Sequence, residues 1–187
     1  MIDALLFKTA SFEGTVSSAE AVTDIVEINF AAAPAVGVLE VVSMQIGIVG
    51  SSPTANEHFG FSLLTLDDAV TSGTQTNNTT TASDNVYSGF GKDNLLEDVL
   101  DYGATIVYLS DNVATTTGST VRLFDDAWNI QIPYRQVWLP DERPTAVFGH
   151  GTGKSDAIVW RMTGQPSATL TVRGSFSYRS IGDVLWN

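Results

Sequence analysis

The stretch Ser167-Ala-Thr-Leu-Thr-Val-Arg-Gly-Ser-Phe-Ser-Tyr-Arg-Ser180 constrains the fold of this chain more than any other. Every second residue gives Ala168, Leu170, Val172, Gly174, Phe176 and Tyr178 on one side. The other side reads Thr169, Thr171, Arg173, Ser175, Ser177 and Arg179. Successive side chains of a strand point to opposite faces, so this is a long strand with one dry face and one wet face. A helix would mix the two sets around its circumference. A strand so late in the chain needs partners made earlier, and it is expected to close a sheet.

Several earlier segments qualify as partners. Val36–Val49 is a second very long strand, with Val36, Val38, Val42, Met44, Ile46 and Ile48 on one face, interrupted by Glu40. Gly37 and Gly47 are expected to mark bends or bulges in it, and at about 3.3 Å per residue it would reach roughly 45 Å. Ala4–Phe12, Glu20–Phe30 and His58–Leu66 read as strands, with Asp24 interrupting the apolar register of the second. Later come Ala104–Leu109, Thr120–Phe124, Asn129–Trp138, Ala146–Phe148 and Asp156–Met162, separated by Asp/Asn, Gly and Pro turns. Pro133 lacks a ladder donor and argues for an edge position.

One segment reads as a helix, Asp93–Tyr102. Asn94 caps it, Glu97 follows three positions on, and Gly103 ends it. The polar, Thr/Asn-rich run Asp67–Asn85 reads as an exposed excursion. About nine or ten strands and one short helix make the expected fold class all-β, an antiparallel sandwich or barrel rather than a set of βαβ units. No repeat or internal boundary appears, so residues 1–187 are expected to form a single domain, with a short C-terminal tail over 182–187.

Charge narrows the function classes. Nine Lys+Arg against 21 Asp+Glu give a formal net charge of −12. A nucleic-acid binder needs a basic face to neutralise phosphates, so direct nucleic-acid binding is not expected. An acidic chain with three lysines (Lys8, Lys92 and Lys154) suits high salt, where screening relieves self-repulsion, or is simply kept soluble by its charge. The absence of cysteine removes disulfides, thiolate metal sites and a Cys nucleophile. The window Ala31–Gly50 is the most apolar, but Pro34, Glu40, Ser43 and Gln45 break it, so no membrane insertion is expected.

Motifs for chemistry are weak. Gly149-His-Gly-Thr-Gly-Lys-Ser155 has Phe148 where a phosphate loop needs its first glycine, and a strand pattern follows it where a helix should open. His58 and His150 lack helical zinc spacing, and no Gly-x-Ser-x-Gly elbow is present, so the chain does not read as an enzyme. No catalytic residue, metal ligand or cofactor is assigned. The acidic pairs Asp67-Asp68 and Asp125-Asp126 offer carboxylates to a structural cation, although solvated turns are the simpler account. Overlapping glycosylation acceptors at Asn77 and Asn78 matter only on a secretory route.

Among the tryptophans, Trp160 sits mid-strand and reads as core. Trp138, beside Pro140-Asp-Glu-Arg-Pro144, and Trp186, the penultimate residue, are each either tucked onto their own domain or buried in a neighbour.

A single acidic β domain with two long strand walls, a polar excursion, one short helix and a strand-forming end resembles the jelly-roll coat proteins of icosahedral viruses. Size, acidity and lysine poverty look most like the small major capsid protein of haloarchaeal internal-membrane viruses. The resemblance implies a structural virion protein, assembled in the host cytoplasm. It would form oligomeric capsomers with itself and a second, larger coat protein, and it brings no catalytic residue. Many modest polar contacts plus a few aromatic anchors are then expected, with Arg173, Arg179, Trp138 and Trp186 as the assembly-interface residues. The alternatives are a ligand- or glycan-binding β-sandwich using Trp138 and Tyr134, or a decoration or spike protein of a virion.

Overall fold

The computed structural model describes residues 7–29, 37–50, 56–67, 69–70, 79–85, 105–110, 113–148 and 157–182, with side chains at most of these positions. They form thirteen strands, and no helix occurs among them. The helix expected over 93–102, Trp186 and the tail beyond Gly182 lie outside the described residues.

The strands are β1 (Phe7–Val16), β2 (Val22–Asn29), β3 (Gly37–Ile48), β4 (His58–Leu66), β5 (Ala69–Val70), β6 (Thr79–Asn85) and β7 (Thr105–Ser110). They continue with β8 (Thr115–Thr116), β9 (Thr120–Asn129), β10 (Tyr134–Val137), β11 (Thr145–Phe148), β12 (Ala157–Thr163) and β13 (Leu170–Gly182). One sheet runs β10-β3-β13-β1-β6, with β11 also on β3, and the other runs β7-β2-β12-β4-β9. Every pairing is antiparallel. β1, β3, β10/β11 and β13 alternate in the chain with β2, β4/β9 and β12, so the connections pass back and forth between the sheets. This is jelly-roll order, with the segment between β4 and β9 as an insertion.

The C-terminal strand lies between β1 and β3, pairing Val16 with Leu170 on one side and Ile48 with Val172 on the other. Its alternation holds: Leu170, Val172, Phe176 and Tyr178 are buried against the opposite sheet. On the outer face Ser175 is also buried, under a 2.7 Å hydrogen bond donated by Gln45 Nε2. Thr9 and Ser177 share a 2.9 Å hydroxyl hydrogen bond there. Between the sheets the core is aromatic. Phe61 lies edge-on to Trp160 at 5.2 Å, stacks on Trp128 at 5.5 Å, and meets Tyr134 at 4.9 Å.

Three sequence expectations are corrected. The apolar face of β3 is not continuous: Leu39 and Val41 face inward, then Met44 and Ile46 do. The register slips by one residue between Ser177 and Tyr178, which pair with Ser43 and Val41, so Val42 is the bulged residue. One extra residue reverses the parity and leaves Val38 and Glu40 on the outer side. Second, the second half of the 67–85 excursion is strand β6, paired with β1 at the sheet edge. Third, the strand placed at Asn129–Trp138 begins at Tyr134, because β9 continues through Asn129 before turning.

The other sheet is dry on both faces near its middle. Leu64, Leu66, Ala157 and Val159 form a second buried cluster with Ala114 of the insertion. Asp24 marks that face. Its carboxylate receives Arg161 Nε at 2.6 Å, Arg161 Nη2 at 3.0 Å and the Ala114 N–H at 2.7 Å. Arg161 Nη2 also donates to the Ala114 carbonyl at 2.7 Å. The apparent flaw in the β2 pattern is a clamp that fastens the insertion to the sheet.

Candidate interaction surface

The β10–β11 edge is shaped by the proline-bracketed loop Pro140–Pro144 of the sequence and by the bulge at Val42. Trp138 donates its N–H to the Val42 carbonyl at 3.1 Å, and Val41 donates to the Pro144 carbonyl at 2.9 Å. Both ends of the loop are therefore tied to β3. Within it, the Glu142 N–H donates to the Leu139 carbonyl at 3.0 Å, closing a tight turn with Pro140 at its second position. Leu139 is 63% exposed, and Asp141 and Glu142 face solvent. Neither acid has an ion pair among the described residues.

The four residues expected at an interface are placed very differently. Trp138 is buried in its own domain, edge-on to Phe124 at 5.1 Å, so it anchors the base of the turn. With Tyr134 also packed inward on Phe61, the expected Trp138/Tyr134 platform does not exist. Arg179 donates to Glu40 at 2.8 Å, Arg143 reaches the same carboxylate at 3.4 Å, and all three side chains are mostly buried. That group ties the loop residue Arg143 to β3 and β13. Arg173 alone of the three described residues is exposed, at 68%, although Glu13 on β1 holds it through Nε at 2.6 Å. Trp186 lies outside the described residues.

Beside Arg173 the outer face of the sheet carries a groove of about 520 Å³. Gly47 forms its floor, between Arg173 on β13 and Pro133 and Arg135 at the start of β10. A Cβ at Gly47 would meet only Pro133, at 3.7 Å, so the hollow exists because β3 has no side chain at that position. Arg135 is exposed, and it has no ion pair among the described residues. Sequence reading missed this groove because its floor lies more than 80 positions from either wall, and that floor is the absence of a side chain.

Among the described residues apolar exposure is one-sided. Val121, Ile132, Val137, Leu139 and Val147, exposed by 47% to 63%, are the exposed large hydrophobics among the described residues. All lie on β9, β10, β11 and their connections, where both sheets end on the same side of the sandwich.

The acidic pair at 125–126 does not converge. Asp125 accepts from Ser62 at 2.6 Å and from Arg122 at 3.0 Å, whereas Asp126 accepts the Tyr134 hydroxyl at 3.1 Å on the opposite face. Burial first, and then the Asp126 carboxylate, push the Tyr134 hydroxyl above the usual phenol range. No group of three or more His, Asp or Glu side chains placed to hold a metal ion occurs among the described residues. No protein-family model matches the chain, and no curated protein matches it.

Proposed function

We propose that this chain is a structural coat protein of an icosahedral virus, assembling with itself and with a second, larger coat protein into the capsomers of a shell. The observation that carries this reading is the gathering of exposed apolar side chains on one side of the jelly roll, rimmed by polar and charged residues. Large apolar side chains left exposed along one edge, among polar residues, suit an interaction surface. The jelly roll alone does not decide function, since the same fold hosts capsid, lectin and enzyme domains. A site for chemistry would need convergent polar groups, and the buried polar groups described above are instead engaged in holding loops and strands.

The net charge of −12 adds a condition on assembly. Acidic subunits repel unless salt screens them or cations bridge them, so the shells are expected to depend on salt. The test is electron microscopy of the expressed chain, followed by light scattering of particles dialysed into low salt with a chelator. Ordered oligomers that lose their size in low salt are expected. A chain that stays monomeric at every concentration overturns the reading, and particles of unchanged size overturn the charge argument alone.

The Gly47 groove favours one other reading, a glycan- or ligand-binding module with an arginine-lined site. Binding of an anionic glycan by a monomer that forms no ordered oligomer would select it.

A further inference from the structure

Two features of the same edge are complementary, and among the described residues neither meets the other within one copy. The Leu139–Glu142 turn projects one leucine and two acids from a base fixed by Trp138 and by the Arg143–Glu40–Arg179 group. The Gly47 groove presents Arg135 and Arg173, with Pro133 as its apolar wall. Glu13 offsets Arg173 and leaves the groove with one net positive charge, facing a turn with two negative ones. In a chain of net charge −12, a hollow lined by two of the six arginines invites an acidic occupant.

We infer that the groove is the seat for the Leu139–Glu142 turn of a second copy of this chain. The inference rests on the assembly reading above and gives it a specific contact. Within one copy the turn does not reach the groove, because the two lie at opposite ends of β10, a strand of four residues spanning roughly 13 Å. That separation suits a twofold axis across the edge: each turn enters the partner's groove, and one contact is made twice. Acid meets arginine in both. Leu139 leaves water against Pro133, and Val137, exposed on the same outer face as Arg135, lies between the two contacts. The turn is rigid before it binds, through Pro140, its own hydrogen bond and its two ties to β3, so little ordering entropy is lost on docking.

Charge exchange tests this in the full chain. Sedimentation velocity is run on wild type, on Arg135→Glu/Arg173→Glu and on Asp141→Arg/Glu142→Arg, each first shown to keep the wild-type thermal midpoint within a few degrees. Wild type is expected to dimerise, each double variant to dimerise at least tenfold more weakly, and an equimolar mixture of the two to regain wild-type association as a mixed dimer. In the mixture each reversed turn meets a reversed groove, and the two wild-type surfaces also meet. Gly47→Leu, which fills the groove without altering charge, is expected to weaken wild-type association to the same degree. If wild type associates but the variants associate equally well, or the mixture is no tighter than its components, the contact is wrong while the assembly reading stands. A wild type monomeric under all conditions overturns both.

Discussion

Phe12 lies directly across from Gly174, and its ring occupies the space that a side chain at 174 would need. A Cβ there would overlap both the Phe12 ring and the Gln45 carbonyl oxygen, and the latter belongs to the ladder and has nowhere to go. Gly174→Ala is expected to cost about 2–3 kcal/mol as overpacking in the core, read as a lower urea midpoint. Gly47→Ala, one strand away on the same sheet, meets only Pro133 at 3.7 Å and is expected to leave the midpoint unchanged. Equal effects would show that the two glycines are not distinguished by packing.

The Asp24–Arg161 clamp predicts a pH signature. Burial pushes the Asp24 carboxyl above its ordinary value of 3.8, while the Arg161 guanidinium and the Ala114 N–H pull it down. Arg161→Met removes the stronger pull and leaves a buried carboxylate unpaired, at a cost of about 3–5 kcal/mol at neutral pH. A raised folded pKa means that the native state holds its proton more tightly than the unfolded chain does. Without Arg161 the carboxyl pKa is raised further than in wild type, so the deficit of the variant shrinks as pH falls through its own folded value and stops shrinking once the wild-type carboxyl is protonated too. Urea denaturation of both proteins from pH 7 down to pH 4 checks this: a deficit that stays constant or widens would exclude the clamp as its source.

Arg173 and Arg179 separate by burial, although the sequence presents them as equals on one wet face. Arg173→Glu sets two acids opposite each other at an exposed position and is expected to cost about 1 kcal/mol or less. Arg179→Glu places a second carboxylate against Glu40 in a mostly buried group, with an expected loss of about 1–3 kcal/mol. Thermal denaturation of the two single variants decides the order.

Trp138 is expected to behave as an anchor. Trp138→Ala should lose about 3–5 kcal/mol from the removed core volume, and Trp138→Phe should retain most of it. A freely tolerated alanine would return Trp138 to the surface.

Most of the framework was legible in the chain. Strand positions follow from alternation, and β4 matches its expected span His58–Leu66 exactly because Phe59, Phe61 and Leu63 face one side without a bulge. Where a bulge intervenes, parity reasoning fails. β3 reverses its faces at Val42, and β2 slips between Asp24 and Val26, which pair with Arg161 and Trp160. Neither bulge sits at a glycine, so no local signal marked it. Alternation places the arginines of β13 on the outer face, but their partners Glu13 and Glu40 are 160 and 139 positions away. Pairing of that kind is decided by register, which single-strand periodicity does not encode.

The placement of β13 between β1 and β3 also sets a timetable. Until residues 170–182 are made, β1 and β3 have no ladder joining them, and their facing edges present unpaired N–H and C=O groups over most of their length. The sheet cannot close before the residues of β13 are available. A chain ending before Leu170 thus carries two unpaired edges and an uncovered Phe12, and pairing of residues 170–182 seals both at once. Truncation ahead of Leu170 is therefore expected to damage this wall more than most point substitutions, leaving fragments prone to aggregate.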